Sequence, residues 1–293
     1  MTDARARFDA VSNQGRWGPD DSRGTLNLIT ADAVARGAAA VRHGRVVSLA
    51  RGLYPGRRLS PPAFVSHRML YQQHEPSGAL DSVEIAPHGF EVTHVDALSH
   101  VYFEGGTYNG RRAADVVTPD GLTFGDIAPL ASGIVTRGLL LDVAEARSVH
   151  HLRPTDVVTA ADLDLAVSRT GIEVAPGDAV VVRTGIEHQP DEDRLSTSQR
   201  TGIDTSAVEW LREHDVGVYV GDCIEALPGT GDFDMPLHML GLSAIGLILV
   251  DAPLVEPLVD ASRELSKRDF MFVCAPLPIH GATGSAVNPL AIL

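Results

Sequence analysis

The stretch Gly133-Ile-Val-Thr-Arg-Gly-Leu-Leu-Leu-Asp-Val143 decides the fold. It is a continuous apolar run with β-branched residues, bounded by glycine on one side, which suits a strand buried inside a sheet. Downstream, Thr159 stands where an N-cap belongs. Leu163, Leu165, Ala166 and Val167 follow, with Asp162 at the third helical position, so a capped helix is predicted there. Pro176-Gly-Asp178 turns the chain into a strand over 179–183. Residues 204–214 carry Val208, Trp210 and Leu211 at helical spacing and lead into a strand over 216–220. Further strands are predicted at 246–250 and 270–274, with a helix at 260–267 between them. Upstream, Thr30 caps a helix that starts at Ala31 and ends near His43-Gly44, before a strand over 45–50. Residues 51–82 are rich in Pro, Gly, Ser and Gln without sustained periodicity, the signature of an irregular covering loop. Strands and helices alternate with no repeat of 20 to 50 residues, which predicts a mixed α/β fold, a single domain over 1–293 with an irregular arm and covering loop over about 1–82.

Composition narrows the function classes. The chain has 293 residues, 44% of them hydrophobic, enough to bury a full core. Its formal net charge of -14 repels phosphate backbones and anionic membrane surfaces, so neither nucleic acid nor a membrane is an expected partner. The opening MTDARARF lacks the apolar core of a signal peptide, and the apolar stretch Ile245-Gly-Leu-Ile-Leu-Val250 is too short to span a bilayer. A cytoplasmic location is therefore expected. Only Cys223 and Cys274 are present, without CxxC spacing, which removes disulfide frameworks and cysteine-built zinc sites. Any metal must be held by His, Asp and Glu.

The segment His88-Gly-Phe-Glu-Val-Thr-His94-Val-Asp96-Ala-Leu-Ser-His100 concentrates such residues. Side chains of an extended chain alternate faces, so His94 and Asp96 project together and can meet one cation. His100 shares their parity and is placed as a base or acid beside the metal. Imidazole and carboxylate together suit Zn, Mn or Fe. A second, weaker candidate is Asp234-Met-Pro-Leu-His238, followed after an apolar stretch by Asp251. Serine and cysteine nucleophiles fit worse. Gly241-Leu-Ser243-Ala-Ile-Gly246 is not a G-x-S-x-G elbow, and Cys223 lies between Asp222 and Glu225, which would raise a thiol pKa.

With these residues in view, the chain resembles the cyclase-family metal hydrolases, the group that includes bacterial kynurenine formamidase and isatin hydrolase. The likeness rests on Trp17-Gly-Pro-Asp-Asp-Ser-Arg-Gly-Thr-Leu-Asn-Leu, Thr93-His-Val-Asp-Ala-Leu-Ser-His100, Tyr108-Asn-Gly110, Pro176-Gly-Asp-Ala-Val-Val-Val-Arg-Thr-Gly185, Pro236-Leu-His238 and Pro276-Leu-Pro-Ile-His-Gly-Ala-Thr-Gly284. The opening block and the Tyr-Asn-Gly resemble a longer branch of the family. By resemblance the fold is of the swivelling β/β/α type, a mixed, barrel-like sheet with surrounding helices, and the chain assembles as a homodimer or homotetramer. His94 and Asp96 are implied as metal ligands and His100 as the catalytic histidine. The family motif His-x-x-x-His-x-Asp-x-x-x-His places its first histidine on Phe90, and the glutamate expected after Pro-Leu-His is best matched by Asp251. One divalent metal, Zn or Mn, held by His94, Asp96 and His238 with Asp251 as a further candidate, is the site so implied. His88 reaches it only if Gly89 permits a bulge.

A divalent cation with an open position lowers the pKa of bound water from 15.7 to about 7, which makes water the nucleophile at neutral pH. His100 then moves the proton to the leaving group. The resemblance implies a small-molecule substrate: a cyclic amide, a lactone or an aryl formamide. Met69, Tyr71, Phe90, Tyr102 and Phe103, with His88, are the candidate pocket residues. Two other readings stand beside the hydrolase. A metal-dependent lyase, isomerase or true cyclase would use the same residues, and a non-enzymatic small-ligand-binding protein would accommodate Phe90 and Asp251.

Overall fold

In the computed structural model, residues 4–56, 59–60, 62–70, 78–229 and 231–293 are described. The run beginning at Gly133 forms a strand over Ile134–Asp142, and around it a nine-stranded sheet is built. In chain order the strands used below are β1 (Val46–Ser48), β2 (Phe64–Met69), β3 (Asp81–Ala86), β4 (His94–Asp96), β5 (Ile134–Asp142) and β6 (Ala179–Arg183). They continue with β7 (Val218–Gly221), β8 (Ile248–Asp251), β9 (Asp269–Cys274), β10 (Gly284–Ala286) and β11 (Leu290–Ile292). The large sheet runs β1-β11-β9-β5-β6-β7-β8-β4-β10.

Its middle, β5 to β8, is parallel, and both flanks are antiparallel. Composition explains the difference. β6 reads Ala-Val-Val-Val-Arg with every residue buried, and β7 and β8 are equally buried, as strands covered on two faces must be. β9 alternates between buried and partly buried positions. At Gly138 of β5 the absent side chain is required by packing, since a Cβ would come within 2.2 Å of the Phe270 ring on β9. The fold is thus the expected mixed α/β arrangement, a curled sheet with helices around it.

The helices follow their caps. Thr30 accepts from the Ala33 amide to start Ala31–Ala40, and Asp204 does the same for Thr205–Glu213. For α1, the helix Ala160–Thr170, both the backbone N–H and the hydroxyl of Thr159 donate to Asp162 at 2.8 Å, and Arg147 grips the same carboxylate.

Two expectations need correction, and one element carries no sequence signal. The predicted covering loop holds regular structure, because β2 and β3 pair antiparallel as a separate ribbon. The helix predicted at 260–267 begins earlier, at Glu256, with Pro257 in its first turn. The apolar residues after Pro236 form a π-helix, Leu237–Ile245, whose all-round burial leaves no amphipathic stripe to read. No helix among the described residues is long and apolar enough to cross a membrane.

Candidate metal centre

β4 is held between β8 and β10, and its register sets the centre of the site. Asp251 pairs across from His94, and Gly284 across from Asp96. Just before β4 the chain turns at Gly89, whose φ of +136° is open to glycine alone at little cost. That turn brings His88 back over the strand, where its Nδ1 lies 3.1 Å from Asp96 Oδ1 and its Nε2 bonds Thr283 Oγ1 at 2.9 Å. Gly284 leaves room for the ring, for a Cβ there would stand 2.8 Å from His88 Cε1. His94 donates Nδ1–H to the Val92 carbonyl at 2.7 Å, which leaves Nε2 3.4 Å from the same Asp96 oxygen.

The other oxygen of Asp96 faces the second segment. His238, at the start of the π-helix, places Nε2 3.4 Å from Asp96 Oδ2 and 3.2 Å from Asp251 Oδ2. Its Nδ1 is fixed by Glu225 at 2.9 Å. Each of these three imidazoles therefore has one nitrogen engaged by the protein and the other aimed at Asp96, the arrangement by which metal-binding histidines are oriented. Yet both oxygens of Asp96, Oδ1 of Asp251 and Nδ1 of His88 are buried without a hydrogen-bond partner. The groups converge to ion-pair distances of 3.1–3.4 Å without meeting hydrogen-bond geometry. An unsatisfied buried carboxylate is costly, and a cation between such donors removes the cost. The donors form two groups joined at Asp96: His88, His94 and Asp96 on one side, Asp96, His238 and Asp251 on the other. The expected residues His94, Asp96, His238 and Asp251 are spread over both groups, with Asp96 turning one oxygen to each side.

Charge in the cluster is strongly coupled. Burial disfavours a proton on His94, but Asp96 beside it outweighs burial and lifts the pKa to about 9. Burial is likewise overcome at Asp96, held well below the carboxylate range by His94 and its neighbours, and at His238, raised by Glu225 and Asp251. His100 differs. Its ring stacks on His88 at 3.8 Å, its Nε2 is 3.9 Å from Asp96, and burial pushes its pKa down to about 4, with Asp96 opposing. It is neutral at pH 7.

A cavity of about 230 Å³ opens onto these residues, with His88, His94, His100, His238 and Asp251 on one wall. Phe90, Val101, Ile224, Leu227 and Met235 make the rest largely apolar. A larger hollow of about 510 Å³, near Arg111 and Phe124, has no histidine in its lining. Phe90 lines the cavity, and the guanidinium of Arg200 lies on its face, 3.6 Å from the ring centroid. Two pocket expectations are corrected. Tyr102 is 44% exposed, and Phe103 stacks on Phe8 and packs at a tilt against Phe233, so neither lines the cavity. Met69 is exposed on β2, and Tyr71 lies outside the described residues. Sequence reasoning missed Glu225 and Arg200. Glu225 follows Cys223 by two positions in a stretch read only for thiol chemistry, and nothing around Arg200 in Ser-Thr-Ser-Gln-Arg marks it. Cys223 and Ser243 are both buried. Burial and Asp222 push the thiol pKa up, and the serine hydroxyl donates to the Val101 carbonyl.

Comparison with known proteins agrees with this architecture. The model of the Cyclase family, described as "Putative cyclase", matches residues 27–226. The crystal structure of a novel cyclase is similar with a TM-score of 0.87 and 26% identity, covering 98% of this chain and 99% of that one. Isatin hydrolase A from Labrenzia aggregata, bound to benzyl benzoate, has a TM-score of 0.63 at 19% identity over 89% of this chain and 97% of its own. A predicted metal-dependent hydrolase from Bacillus stearothermophilus has a TM-score of 0.53 at 14% identity over 84% and 97%. Among curated proteins, none matches.

Proposed function

Because the chain belongs to the Cyclase family, we propose that it is a metal-dependent hydrolase of a small cyclic amide, with lactones and aryl formamides as related substrates. The observation that carries this is Asp96, fully buried with both oxygens unpartnered and three histidines aimed at it. Divalent cations, Zn or Mn, would be held by His88, His94 and Asp96 on one side and by Asp96, His238 and Asp251 on the other. Bound there, such a cation supplies water activation at neutral pH and polarises a carbonyl.

The chain's own groups do the rest. His100, neutral and at the cavity wall, accepts the proton of the attacking water and returns it to the departing nitrogen as the C–N bond breaks, leaving a carboxylate and an amine. Glu225 keeps His238 from turning away. The apolar wall limits the water that reaches the reacting carbonyl, and the cavity volume favours a ligand of one or two rings. Zn against Mn, cytoplasmic placement and assembly as a homodimer or homotetramer belong to this reading through the family resemblance.

The test is metal content per chain together with turnover in oxygen-18 water. Wild-type protein is expected to carry Zn or Mn, Asp96→Ala to carry none, and isatin-type ring amides to take one label into a carboxylate. His100→Gln should keep its metal and lose about 10²- to 10⁴-fold in turnover. Conversion without label in the product would instead indicate a lyase or isomerase. A wild-type chain that takes up no metal under any loading would favour the ligand-binding protein.

A further inference from the structure

The mechanism leaves Arg200 unused, and its setting is unusual. The residue is 2% exposed, and both Nε and Nη2 are buried without a hydrogen-bond partner. Its guanidinium makes no ion pair within 4.0 Å among the described residues. The other two arginines nearby are paired: Arg51 with Glu187, and Arg194 with Asp191 at 2.8 Å. A buried, unpaired guanidinium is expensive, so a folded chain that keeps one has a partner for it in some state.

Geometry says what kind. Phe90 covers one face of the guanidinium, and Arg200 lines the cavity together with His100 and His238. Nε and Nη2 are the adjacent pair whose parallel N–H bonds grip a carboxylate side-on, and these are the two atoms left unsatisfied. The closest acids of the cluster are otherwise occupied: Glu225 bonds His238, and Asp251 belongs to the second donor group.

We propose that Arg200, stacked on Phe90, is the anion-recognising residue of this cavity and that the substrate carries a carboxylate in addition to the bond that is cleaved. This rests on the reading of the cavity as the reaction site. Phe90 serves here as the stacking face for the guanidinium, while His88 supplies an imidazole from two residues earlier.

The test titrates benzoate and its neutral counterpart benzamide into metal-loaded wild type, Arg200→Lys and Arg200→Gln by calorimetry, with metal content and melting temperature recorded for each. Benzoate is expected to bind wild type about tenfold or more tightly than Arg200→Gln, the usual scale for a charge-assisted pair, with Arg200→Lys between them. Benzamide should bind all three alike, and metal content should not change. Equal benzoate affinity in wild type and Arg200→Gln, or no benzoate binding by wild type, would overturn the proposal. So would loss of metal from Arg200→Gln, which would make the guanidinium a charge balance for the cluster. Should Arg200→Gln fail to fold, Arg200→Lys decides: a lysine that binds benzoate as tightly as arginine removes the need for the fork. The metal content of wild type judges the hydrolase reading separately, since the Arg200 proposal is read from ratios between variants.

Discussion

At Asp96 a single carboxylate is asked to serve two neighbours at once, one with each oxygen. That arrangement depends on small decisions by other residues about which nitrogen to present. Glu225 makes the most consequential one, because it holds His238 Nδ1 and so directs Nε2 toward Asp96 and Asp251. Glu225→Gln is therefore expected to lower metal affinity by about 10- to 100-fold while leaving the fold intact, measured by competition with a chromophoric chelator. An unchanged affinity would show that packing alone orients the imidazole. At this scale the sequence was legible only where neighbours in the chain are neighbours in space. His94 and Asp96 are two apart on a strand, and their shared face follows from the pleat. His88 could not be placed with them without knowing that Gly89 adopts φ of +136° and that Gly284, from the far end of the chain, leaves space for the ring. Glu225 and Arg200 reach the site from irregular segments, for which no periodicity speaks.

Among the elements, α1 shows how local signals carry through. Thr159 and Asp162 form the cap read from the sequence, and Arg147 reinforces it. Thr159→Ala should cost about 1 kcal/mol in urea unfolding at neutral pH. Burial opposes ionisation of Asp162, but Arg147 and Thr159 outweigh it and hold the pKa below the carboxylate range. On acidification the unfolded chain takes up this proton first, so the stability Asp162 contributes is present at neutral pH and is lost as pH falls below its ordinary value through the folded one. The difference between wild type and Asp162→Asn should shrink accordingly when unfolding is repeated in acid. β5, β6 and the helix after Asp204 were equally readable, since their patterns are strong and short in range. The π-helix was not, because its residues are buried all round and tertiary packing, not amphipathicity, dictates the winding. The ribbon of β2 and β3 was hidden by the prolines and glycines around it.

On the scale of the molecule, fold and family were visible in the sequence, whereas the division of donors into two groups was a property of the assembled sheet. β4 supplies His94 and Asp96, but their partners across the ladders, Asp251 and Gly284, come from distant parts of the chain. The donor set does not exist until β8 has joined the parallel strands and β10 has closed over β4. Pairing across such long stretches carries a large loop-closure cost, and we expect the joining of β8 and β10 to β4 to complete only after the folding barrier is crossed. A cation that needs all of these strands in place therefore has nothing to stabilise in the transition state. Its effect falls on the rate of escape: at free metal of about 100 times Kd, initial unfolding in urea should slow by about 100-fold relative to chelator-treated protein, with refolding unchanged. Equal slowing of both limbs would mean that the donors meet early. With late donors, the register of one three-residue strand works as a clock, setting how long a loaded molecule persists and leaving the speed at which it is made to the rest of the sheet.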